Sequence, residues 1–188
     1  MDFCGSLALL VFVLPVLILV SLAIIYNMGW PAIFTHTRSG KGKKPFKIFK
    51  LRTMQNPSVG ATDESRITKL GGFLRKWSID ELPQLFNVIR GEMSLIGPRP
   101  LLPEYDKHYS KKQNKRFLVR PGITGLAQIT GRNGLTWEEK FFLDVEYVEN
   151  LSFVNDFKVL VGTVYVVFRA KGFRKSGEDQ KFTGNKVG

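Results

Sequence analysis

Trp77-Ser-Ile-Asp-Glu-Leu-Pro-Gln-Leu-Phe-Asn-Val-Ile-Arg-Gly-Glu-Met-Ser-Leu-Ile-Gly-Pro-Arg-Pro100 is the stretch around which the rest of the chain is read. Leu82, Leu85, Phe86, Ile89 and Met93 recur at the spacing of one helical face, which predicts a short amphipathic helix stopping near Gly91. Asp80 and Glu81 then lie in its first turn, where the helix dipole favours ionised carboxylates. Two starts fit. Ser78 and Glu81 match the Ser-x-x-Glu capping box, whereas Pro83 suits the first turn better if the helix begins at Asp80. Beyond the helix, Gly97-Pro-Arg-Pro100 restricts the backbone on both sides of one arginine, a suitable way to fix a guanidinium against phosphate. Taken singly, an Asp-Glu pair is a helix cap and Arg99 a surface turn. Together they suggest carboxylates for metal or nucleophilic work facing an arginine for phosphate oxygens.

Upstream, residues 3–30 carry no charge, which removes them from the soluble core of a chain of only 188 residues. One catalytic domain plus a membrane element is expected. A stretch near 20 apolar residues can cross a bilayer, but Pro15 falls in the middle of this one, where it removes a backbone hydrogen bond and favours a kink. The run therefore reads either as a spanning anchor or as a helix that dips into one leaflet and returns. A cleaved signal peptide is not expected, given the Met1-Asp2 opening and the Tyr26-Asn-Met-Gly-Trp30 end. Trp30 suits the interface, and Arg38, Lys41, Lys43 and Lys44 place the following flank in the cytoplasm. The formal charge of +12 points to polyanionic partners without choosing among them. Cys4 is the single cysteine, so there is no internal disulfide and no thiolate metal site.

Residues 46–54 alternate as a strand carrying Lys50 and Arg52, cations that an exposed strand also carries. A helix is predicted over 65–76, with Arg75 either an ion-pair partner for the carboxylates or a cation at a helix C-terminus. Residues 101–116 read as a mixed-charge helix lying along the membrane surface, with no chemistry assigned. The glycine-rich run 120–133 allows close backbone approach to a ligand and carries Gln128, Arg132 and Asn133 as polar contacts. Over 137–150 a helix places Asp144 on an otherwise apolar face, so Asp144 needs a partner; a salt bridge to Arg75 or Arg99 that shapes the site is the expected one, with an ordinary structural ion pair as the alternative. Residues 153–168 form a second apolar helix, with Phe157, Leu160, Val161, Val164 and Phe168 on one stripe, packed on the core or lying in the interface. Residues 171–188 are expected to form a mobile polar tail.

The run 78–100, joined by Phe49-Lys-Leu-Arg-Thr-Met54, Arg120-Pro-Gly-Ile-Thr-Gly-Leu-Ala-Gln128, Gly131-Arg-Asn133 and Leu143-Asp144 with Tyr147-Val148, resembles the bacterial sugar transferase family, the small monotopic phosphoglycosyl transferases. The resemblance covers most of the chain. It implies an α+β fold, a mainly helical small catalytic domain with a short β element, an N-terminal re-entrant membrane helix and interfacial amphipathic helices. The divisions are 1–30 for the membrane helix, 31–170 for the cytoplasmic catalytic domain and 171–188 for the tail. It further implies transfer of a sugar-1-phosphate from a UDP-sugar to polyprenyl phosphate, at the cytoplasmic face of a bacterial inner membrane. Asp80 would be the nucleophile, Glu81 would help hold Mg2+ with Asp80 or handle a proton, and Lys50, Arg52, Arg75, Arg99, Gln128, Arg132, Asn133 and Asp144 would surround the substrate. Two departures stand out: His36 where glutamine is usual, and Leu14-Pro15 where Ser-Pro is common. The competing class, a basic non-enzymatic adaptor for anionic lipid or nucleic acid, explains the charge but not the acidic pair and the Pro-Arg-Pro loop. The chain also lacks the aromatic-basic platform that stacks bases, so nucleic acid is not an expected partner.

Overall fold

The computed structural model describes residues 2–57, 62–131, 134–169 and 182. It is mainly helical, with two small two-stranded sheets. Helix α1 (Asp2–Met28) runs through Pro15 as one element, about 40 Å long at the usual helical rise. Leu10, Leu17 and Ile24, seven residues apart, form its buried stripe and pack with Leu51, Leu74 and Leu85 of the catalytic domain. The opposite side is exposed, with Phe12 at 81% and Leu19 at 68%. Both ends of the helix meet the same domain: Ile24 is fully buried, and the Asp2 carboxylate accepts from Ser94 Oγ at 3.0 Å and from the Leu95 amide at 3.4 Å.

Strands β1 (Ile33–Ser39) and β2 (Pro45–Leu51) form an antiparallel ribbon with Phe34 opposite Lys50 and Arg38 opposite Phe46. Arg52, just past β2, donates to the carbonyl of Met54 and to Asn56 Oδ1, and reaches the carbonyls of Gly29, Trp30 and Pro31 at 3.3–3.5 Å. It fastens the exit of α1 to the ribbon. The helix predicted over 65–76 is two pieces, α2 (Asp63–Arg66) and α3 (Lys69–Lys76), because Ile67 turns extended to bridge Met54 and Thr68 caps the second piece at the Gly71 amide.

The segment after α3 departs from the capping-box prediction. Ser78 adopts left-handed dihedrals and makes no side-chain cap, and Ile79–Gln84 form a tight 3-10 turn before a short α4 (Leu85–Ile89). Pro83 lies inside this turn and has no N–H to donate within it. Gly91, at φ +74°, ends the helix as expected. Within α4, Asn87 is fully buried, donating to the Lys47 carbonyl and Glu92 while accepting from the Phe49 amide, and so locks the helix to β2.

Strands β3 (Ser94–Ile96) and β4 (Gly122–Thr124) pair in parallel. A Cβ on Gly122 would lie 2.1 Å from the Gly97 amide nitrogen, so the absence of side chains here lets backbone cross backbone. Helix α5 (Leu126–Thr130) follows, then α6 (Trp137–Glu149), capped by a complete Thr136–Glu139 box, and α7 (Phe153–Phe168). The last two match the predicted helices. In α7 the inward residues are Val159 and Val166, whereas Phe157, Val161, Val164 and Phe168 are 55–74% exposed. The predicted stripe therefore faces outward and does not pack on the core.

No continuous mixed-charge helix exists over 101–116. Pro103–Tyr105 and Gln113–Leu118 are short 3-10 turns, and Tyr105, Tyr109 and Phe117 turn inward to join Phe141 in an aromatic cluster. Core burial of these rings overrides the surface helix that charge alone suggested. Phe182 is buried in the same cluster; the rest of the 171–188 tail lies outside the described residues.

Candidate active site

A cleft of about 1270 Å³ opens beside α1 and is lined by Lys50, Arg52, Arg75, Asp80, Glu81, Arg99, Gln128 and Asp144. Every sequence-predicted site residue among those described borders this one space. Arg132 and Asn133 lie outside the described residues.

The 3-10 turn after the left-handed Ser78 delivers the two carboxylates into unlike settings. Glu81 Oε1 accepts from Lys50 Nζ at 2.7 Å and from Arg99 Nη2 at 2.9 Å. Burial works against its charge, but the two cations outweigh it and hold the carboxyl well below the ordinary glutamate range. Asp80 is 8% exposed. Burial, reinforced by the neighbouring Glu81 charge, raises its carboxyl to about 6 against the pull of Lys50, Arg75 and Arg99. At neutral pH Asp80 is thus still mostly ionised and less stabilised than its neighbour.

Arg75 donates from Nε to Thr53 Oγ1 at 2.9 Å, and its charge acts on Asp80. Asp144 corrects the sequence reading: its partner is neither Arg75 nor Arg99 but Arg116, which approaches Oδ2 through Nη2 at 2.8 Å and Nε at 3.1 Å. Both side chains are almost completely buried. Arg116 also donates to the Arg99 carbonyl at 2.7 Å and sits about 5.5 Å from the centroids of the Tyr109, Phe117 and Phe141 rings. Asp144 therefore acts on the Pro-Arg-Pro loop through Arg116. The signal was present in part: a carboxylate on an apolar face requires a cation, and Arg116 is the arginine in a stretch otherwise rich in lysine. Gln128 borders the cleft with both carboxamide atoms buried and unpaired among the described residues.

Such a cleft suits an enzyme that works on anionic groups beside an apolar helix. The bacterial sugar transferase family model matches residues 1–170, and the chain belongs to that family. It is therefore a membrane-associated transferase. The chain is 48% identical to the uncharacterized sugar transferase EpsL of Bacillus subtilis, over 90% of this chain and 88% of that protein. It is 40% identical to the UDP-glucose:undecaprenyl-phosphate glucose-1-phosphate transferase of Caulobacter vibrioides, over 87% of this chain and 67% of that one. With the UDP-galactose-lipid carrier transferase of Erwinia amylovora the identity is 36% over 91% of this chain but only 40% of the relative's length.

Proposed function

We propose that this protein transfers a sugar-1-phosphate from a UDP-sugar to polyprenyl phosphate through an intermediate on Asp80. The division of the acidic pair carries this reading: Glu81 is charge-balanced by Lys50 and Arg99, while Asp80 remains a buried carboxylate of raised basicity. In the first step an Asp80 oxygen attacks the phosphorus bonded to the sugar oxygen, and the bond to UMP breaks with the electron pair leaving on UMP. In the second, an oxygen of polyprenyl phosphate attacks that phosphorus, releasing Asp80 and forming polyprenyl-diphosphate sugar. Arg99 and Lys50 stabilise the charge gathering on the phosphoryl oxygens, and the names of the Caulobacter and Erwinia relatives support the substrate classes.

Asp80 and Glu81 fit magnesium only as a site completed by substrate phosphate and water, since no group of three His, Cys, Asp or Glu occurs among the described residues. When bound there, the ion supplies neutralisation of pyrophosphate charge. Glu81→Gln is expected to raise the magnesium concentration needed for half-maximal rate. A titration superimposable on wild type removes Glu81 from metal binding.

The membrane arrangement belongs to the same proposal. Helix α1 enters and leaves on the cytoplasmic side of the inner membrane, its exposed Val11, Phe12 and Leu19 immersed in one leaflet, and α7 lays its outward apolar stripe in the interface. The Asp2 contact with Ser94 supports this, because a helix crossing to the far side would carry Asp2 away from the catalytic domain. In a Cys4→Ser background, Phe3→Cys and Lys41→Cys are expected to react from the cytoplasmic side alone. Reaction of residue 3 from the outside establishes a spanning anchor instead.

The reaction itself is tested by incubating the protein with UDP-sugar and no acceptor. Intact mass after acid quench is expected to rise by one phosphosugar, mapped to the Asp80 peptide, with UMP released in equal amount. UMP release that requires polyprenyl phosphate, with no adduct, replaces the two-step route by direct transfer.

A further inference from the structure

We propose that Arg38 is a phosphate-binding residue of the cleft, a second guanidinium acting beside Arg99 on the substrates' phosphate oxygens. The proposal rests on the phosphosugar-transfer reading above and adds a residue to it.

Successive side chains of a strand alternate between faces, and directly opposed residues of an antiparallel pair share a face. Phe34, His36 and Arg38 of β1 therefore stand on the same side of the ribbon as Ile48 and Lys50 of β2, and all five border the cleft. The other arginines bordering it are committed to the protein. Arg99 holds Glu81, Arg75 holds Thr53, Arg116 holds Asp144, and Arg52 and Arg66 donate to backbone carbonyls. Arg38 differs: its half-buried guanidinium makes no hydrogen bond or ion pair with any described residue. Burial and the adjacent Arg99 charge both disfavour its cationic form. A partly desolvated arginine next to another arginine is destabilising by itself and becomes favourable when an anion lies between them.

The anion is a phosphate group in either case, from the nucleotide or from the isoprenoid acceptor, and the two are distinguished by binding. UMP and geranyl phosphate are titrated calorimetrically into detergent-solubilised wild type, Arg38→Gln and Arg38→Lys, with melting temperatures measured in parallel. Arg38→Gln is expected to weaken at least one probe by about ten-fold or more, the scale of one charge-assisted hydrogen bond. Its melting temperature is expected to equal or exceed that of wild type, and Arg38→Lys to bind at an intermediate level. Loss for UMP alone assigns Arg38 to the nucleotide phosphate, and loss for geranyl phosphate alone assigns it to the acceptor. Binding of both within two-fold of wild type overturns the proposal, as does weakened binding accompanied by a clear drop in melting temperature, which marks a structural role. Wild-type protein that binds neither probe overturns the transfer reading, and this proposal with it.

Discussion

Asp80→Asn is expected to abolish transfer, by roughly 10⁴-fold or more as in other losses of a covalent nucleophile, while raising the melting temperature. The two effects share one cause. Burial and the Glu81 charge raise the Asp80 carboxyl from 3.8 to about 6, so the ionised form costs the folded state about 3 kcal/mol at neutral pH. Because the folded-state value lies above the unfolded one, this group's stabilising contribution is complete below about 3.8 and is lost as pH rises through about 6. The stability gap between variant and wild type is therefore expected to be largest near pH 7 and to close toward pH 4. The wild-type rate moves the other way, since attack needs the carboxylate: kcat/KM is expected to fall as pH drops through about 6. Near-normal turnover by Asp80→Asn removes it from the nucleophile's role, and a gap that widens on acidification contradicts the assigned cause.

Arg116→Leu is expected to destabilise the protein by about 3–5 kcal/mol, because Asp144 would remain buried without its cation. Adding Asp144→Leu is expected to recover most of that loss, since an apolar pair of similar bulk suits the aromatic surroundings. Recovery of activity is not expected to follow, because the Arg99 carbonyl still lacks its donor and the loop loses its support. Thermal unfolding of the two single variants and the double variant measures the coupling. Strictly additive losses would show that the two residues do not act as a pair.

The contrast between Asp80 and Asp144 shows how far local sequence reaches. The arginine loop and helices α6 and α7 were legible because neighbours in sequence set them, whereas the acidic pair was visible as a pair but its cap and winding were not. Asp144 announced a need for a partner, but its partner lies 28 residues away, in a stretch whose lysines suggested a surface helix. What decided that stretch was the inward turn of Tyr105, Tyr109 and Phe117, a packing choice without a local period. Arg38 was equally hidden. The sequence offered it only as one of the basic residues after Trp30, and the fold alone places it on a strand facing the cleft, beside arginines already engaged.

The meeting of Lys50 and Arg99 on a single oxygen of Glu81 gives the cleft an internal counterion. A phosphate arriving at Lys50 and Arg99 performs an exchange, displacing a resident anion, so contact with those two cations yields only a modest gain in attraction. Long-range capture then falls to the +12 charge of the chain as a whole. Added salt is accordingly expected to slow encounter more than it loosens the bound state.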